Sequence, residues 1–215
     1  RAQEWWNEVQ RKGEMLVLAE GTASGDENSP SQARQLMRKY PDAAIDAIIK
    51  GARASKKDWT RIRLVNLAGR IEGEAATTFL MEEMRQGPQL ASRAASANIL
   101  LARGEVATVV PAMISEWENG AEDLRSPKSQ MMSGESDMIE ILATCGMVDA
   151  ISVLSRDFES LSIERRKTII SELNIGESLF SSFSYYFDEE PRLVRKAANP
   201  SPESLAAIEQ LLVQA

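Results

Sequence analysis

Two stretches decide the fold: "GEAATTFLMEEM" (73–84) and "GEVATVVPAMISEW" (104–117). Both begin Gly-Glu-x-Ala-Thr and run on into an apolar segment, the second starting 31 positions after the first. Around them the chain reads as alternating helices. A first helix type, A, is expected at 42–53, 73–86 and 104–118. A second type, B, fills 58–71 and 89–103 between them. Further A helices are expected near 147 and 176, with a longer step across the irregular stretch 118–137 ("ENGAEDLRSPKSQMMSGESD"). A step of about 30 residues with two helices per step is the pattern of an α-solenoid. One helix pair cannot bury its apolar face alone, and stacked neighbours supply the missing half of the core. Leu67 and Leu100 are expected at interior positions of consecutive B helices.

Outward from the repeats, the N-terminal segment places Ala2, Trp5, Trp6, Val9, Leu16 and Val17 at helical spacing. The Gly-, Ser- and Asp-rich stretch 20–31 reads as a loop, and a short helix follows at 31–39. At the other end, Ser201 and Pro202 start a last amphipathic helix carrying Leu205, Ile208, Leu211 and Leu212 on one face. The expected division is an N-terminal helix and loop at 1–29, packing on a repeat domain at 30–215.

"VATVVPAMISEWENG" (106–120) resembles the first helix of a HEAT repeat, with Pro111 inside it. "ASRAASANILLARGE" (91–105) and "RIRLVNLAGRIEGE" (61–74) resemble the second helix and its closing Gly. The likeness covers 42–173 well and the rest weakly, and Pro111 is missing from the other A helices. It implies an all-α fold: an α-α superhelix of about five HEAT-like pairs with N- and C-terminal flanking helices, B helices on the concave side. In that family the usual role is to hold another macromolecule.

Composition agrees with a helical domain and narrows the function. The chain has 215 residues, of which 43% are hydrophobic, 27% charged and only 6% aromatic, enough apolar content for a core built from helix formers. There is no histidine, so a Ser-His-Asp or Cys-His site and any His-containing metal site are excluded. No phosphate-binding glycine motif or nucleophile elbow is found. The single cysteine, Cys145 in "ILATCGM", reads as a buried core thiol. The adjacent carboxylates Glu82 and Glu83, and Glu189 and Glu190, read as solvated. No catalytic residue, metal or cofactor is expected. A net charge of −7 argues against a general nucleic-acid or membrane-surface binder. No apolar run approaches the roughly 20 residues a membrane helix needs. The first residue is Arg1, so a targeting segment removed from the chain is one expectation; the compartment stays open, with the cytoplasm slightly favoured.

Charge is unevenly placed. Between Pro30 and Arg63 there are nine Lys/Arg and three Asp/Glu, a local +6 that leaves −13 elsewhere. Lys50, Arg53, Lys56 and Lys57 form a basic patch. Arg61, Arg63, Asn66 and Arg70 on one B helix, with Arg93, Ser96 and Arg103 on the next, are expected to form a polar ridge that grips carboxylates or phosphates through Arg forks. The expected function is a non-enzymatic protein–protein scaffold whose partner offers an acidic segment. The alternative is a nucleic-acid binder like the HEAT-like DNA glycosylases, with Trp59 stacking on a base. The aromatic stripe Phe180, Phe183, Tyr186 and Phe187 reads as core.

Overall fold

The computed structural model describes residues 2–120 and 134–174, with 202–203 and 206–208. The fifth pair, the aromatic stripe, most of the 118–137 stretch and most of the last amphipathic helix lie outside them. The described residues are all-α, with no strand among them. In chain order the helices are α1 (Ala2–Lys12), α2 (Glu14–Ala23), α3 (Ser29–Lys39), α4 (Pro41–Ala54), α5 (Asp58–Ala68), α6 (Glu74–Gln86), α7 (Leu90–Ala102), α8 (Val106–Asn119), α9 (Glu135–Thr144), α10 (Val148–Asp157) and α11 (Ile163–Asn174). None is long and apolar enough to cross a membrane. The chain divides into two compact units, 1–99 and 100–215.

The opening repeat has a backbone cause. Gly73 and Gly104, which precede α6 and α8, sit at φ of 122° and 88°, a region costly for any residue with a Cβ. Each turns the chain into the following A helix, so Gly-Glu recurs where the turn recurs. The A helices α4, α6 and α8 begin at Pro41, Glu74 and Val106, and the B helices α5 and α7 at Asp58 and Leu90. The step is thus slightly longer than the matched pentapeptides indicate.

In the first unit, α4 buries Ala44, Ala47, Ile48, Gly51 and Ala52, and α6 buries Ala76, Phe79, Leu80, Glu83 and Met84. Both sets follow i, i+3, i+4, i+7, i+8, the single core-facing stripe of an amphipathic helix. Leu67 of this unit and Leu100, the first residue of the second, are each interior, at 5% and 0% exposure. Helix α4 packs on α5 and on α6, and α5 packs on α6. Helices α2 and α3 pack on α4, and α3 also reaches α5.

The N-terminal segment differs from the single helix expected. Gly13, at φ 88°, ends α1 and starts α2, because its backbone leaves the right-handed region between the two. The expected loop at 20–31 shrinks, since α2 continues to Ala23 and α3 begins at Ser29. The Asp26 carboxylate accepts from the backbone N–H groups of Asn28 and Ser29 at 2.8 and 3.1 Å, which closes the short turn between them.

The second unit repeats the neighbour pattern. Helix α8 packs on α9 and α10, and α9 packs on α10 and α11. Trp117 of α8 is fully buried, and its indole N–H donates to Asp157 of α10 at 2.9 Å. Arg165 of α11 is fully buried against the equally buried Glu135 of α9. Cys145 is buried, as the sequence indicates.

Candidate functional site

The basic residues singled out from the sequence separate into three groups. Arg61 is the first correction. It is 7% exposed, and its Nε and Nη2 donate to the two carboxylate oxygens of Glu83 at 2.7 and 2.6 Å. Its Nη1 donates to the Ala52 carbonyl at 2.8 Å. It therefore ties α5 to α6 and to the end of α4, and does not reach the surface. Glu83 is corrected with it: it is 4% exposed, while its neighbour Glu82 faces solvent. Adjacent helix positions point about 100° apart, so one faces the core while the other does not.

Ser96 is the second correction, for it is fully buried. A hydroxyl is small enough to sit inside α7's packed face with Ser92 and Leu100, which are buried at four-residue spacing on either side of it. It cannot continue an exposed ridge. Arg93 is half-buried, and its Nη1 donates to the Gly87 carbonyl at 2.7 Å, next to the start of its own helix. Arg103, in the second unit, is half-buried.

Along one side of α5 and the turn that follows it lies a row of four residues, with Asp58 also exposed at the start of the helix. Trp59 is half-buried, and the Arg63 guanidinium carbon lies 5.2 Å from its ring centroid, within the range of a cation–π contact. Asn66 on the helix and Arg70 in the turn just after it follow, both exposed. Trp59, missed as part of this row, holds Arg63 in place. Its spacing of four from Arg63 is the signal that could have found it.

The patch residues Lys50, Arg53, Lys56 and Lys57 are all exposed. Two are partnered at long range: Arg53 with Glu82 of α6 at 2.6 Å, and Lys57 with Glu27 in the α2–α3 turn. The local excess of positive charge is thus partly answered by acids that are distant in sequence.

A groove of about 600 Å³ runs between α4 and α6, lined by Asp46, Ile49, Lys50 and Arg53 on one side and Glu74, Thr78, Phe79 and Glu82 on the other. The ion pair between Arg53 and Glu82 joins the two walls at one end. Asp46 and Glu74 lie seven and eight residues before those partners, and both still line the same groove. The two helices therefore run parallel along it, and the two carboxylates share its other end.

In the second unit, burial lifts the Glu172 carboxyl, with Glu140 and Asp137 adding repulsion, and it is pushed up to about 7. Among the described residues no group of three His, Cys, Asp or Glu side chains could hold a metal ion. Compared with known proteins, the chain matches no family model, no curated protein and no solved structure.

Proposed function

We propose that this chain is a non-enzymatic scaffold of HEAT-like helix pairs that holds another protein on the exposed side of its B helices. The observation that carries the reading is the row on α5. Trp59, Arg63 and Asn66, with Arg70 in the turn that follows, form one amphipathic strip along a helix whose opposite face is committed to the core. An Arg braced against an aromatic ring loses less freedom on binding, and Trp and Arg are the residue types that dominate protein interfaces. The strip is basic, so the partner offers an acidic segment.

The neighbour pattern supports the solenoid part of the reading. Two of the A helices pack both on their own B helix and on the next A helix: α4 on α5 and α6, and α8 on α9 and α10. Stacked pairs require such contacts in an α-α superhelix.

A photoreactive side chain placed at Asn66 tests the proposal in extracts of the cells that make the protein. The expected result is a protease-sensitive adduct that disappears when Arg63, Arg70 and Arg93 are changed together to Ser. Folding should remain nearly intact in that variant, with a loss of about 1 kcal/mol from the Arg93 hydrogen bond. A nuclease-sensitive adduct would replace the protein partner by a nucleic acid, and its formation should then fall steeply with salt. An adduct unchanged in the triple variant would remove the strip from the interface.

A further inference from the structure

The geometry points to the α4–α6 groove as a second docking site, for a basic amphipathic segment of a partner protein. Such a segment sets a Lys or Arg side chain between Asp46 and Glu74 and lays an apolar residue on Ile49 and Ala75. A turn further on, it presents a carboxylate to Lys50.

Three observations specify that occupant. First, the charges along the groove are ordered. The carboxylates of Asp46 and Glu74 share one end, Lys50 lies about 6 Å further along α4 by helical rise, and the Arg53 and Glu82 pair closes the other end. Second, Asp46, Lys50 and Glu74 make no hydrogen bond or ion pair among the described residues. Arg53 and Glu82 at the far end satisfy each other. Asp46 and Lys50 are spaced i, i+4, where pairing is geometrically easy, yet they do not pair. Third, the wall between the charges offers apolar surface at Ile49, which is half-buried, and at Ala75, which is exposed, beside the exposed Thr78.

Two like charges at one end of a groove attract a cation, and a small ion would serve for that alone. A small ion leaves Lys50 unanswered and the apolar wall in water. A Lys or Arg side chain does better, because its aliphatic stem lies along apolar surface while its head reaches the carboxylates. Its own chain then carries the opposite charge to Lys50. The surface involved is the A-helix side of the first unit and shares no residue with the α5 strip, so this inference stands or falls separately from the function proposed above.

The test uses the whole chain and two synthetic helix-forming peptides. One places Lys, Leu and Glu at successive turns of one face; the other has Lys and Glu exchanged. Binding is followed by methyl and amide NMR. The expected result is shifts centred on Ile49, Ala75 and Thr78, with the first peptide binding about tenfold tighter than its exchanged twin, since complementary charge sets orientation and partner choice. The double variant D46N/E74Q, at two exposed positions, should melt as the parent does and lose that tenfold preference. Shifts scattered over the acidic surface, or equal affinity in the double variant, would show general charge attraction and overturn the inference. Loss of the α5 crosslink with these shifts preserved would count against the proposed function alone.

Discussion

Arg61 and Glu83 form a two-pronged ion pair inside the protein, with Nε and Nη2 at 2.7 and 2.6 Å from the two carboxylate oxygens and both side chains under a tenth exposed. A pair of this kind joins α5 of one helix pair to α6 of the next. Its mutual attraction mainly offsets the cost of taking two charges out of water, so it adds little net stability while being expensive to break. Arg61→Met should therefore destabilise the first unit by about 3–5 kcal/mol in urea denaturation, because Glu83 is left charged and buried. The double change Arg61→Met/Glu83→Met should recover most of that loss, short by about 1 kcal/mol for the Ala52 carbonyl that loses its donor. Additive losses in the two single variants and the double would contradict this account.

Leu67→Ala and Leu100→Ala should each cost about 2–5 kcal/mol, from lost transfer energy and the cavity left behind. Both side chains are interior. Equilibrium unfolding of the two variants checks the assignment, and a loss under about 0.5 kcal/mol at both sites, the range of an ordinary surface change, would show that the B-helix faces are wrong.

These leucines were legible in the sequence because burial on a helix follows a period, and a period survives in one dimension. The ion pair was not, because its halves lie 22 positions apart and each alone looks like a surface charge. The trace that could have found it is positional. Arg61 lies three and four residues before Leu64 and Val65, and Glu83 three and four after Leu80 and Phe79, all four buried. Both charges thus interrupt an apolar stripe. The ridge failed in part for the converse reason. Ser96 was read as polar by type, whereas its position between Ser92 and Leu100 put it inside. The α4–α6 groove was invisible to a reading of single helices, since its two walls come from helices that are not consecutive in the chain.

Glu172 should make the second unit less stable at neutral and alkaline pH. Its folded-state proton affinity is raised from the ordinary 4.5 to about 7, so between those values the folded chain holds more protons than the unfolded one. Stability should then fall as pH rises through that window and level off above it. Glu172→Gln should melt higher than the parent at pH 8 and close to it at pH 4.5. Thermal melts of the two proteins at several pH values test this, and identical pH profiles would sink it.

The seam at Gly51 settles where this chain can be divided. A Cβ on Gly51 would stand 2.1 Å from the Thr22 carbonyl oxygen, so α2 and α4 touch backbone to backbone, closer than side chains allow. Thr22 itself has no solvent exposure, and Val17 and Leu18 of the same helix are buried with it. Helix α2 is therefore part of the packed core around α4. A fragment starting at residue 30 would bare α4 at Gly51, where the close backbone contact with Thr22 is lost. Removal of the first 29 residues should therefore destabilise the first unit, and a stable version of that unit should include α2.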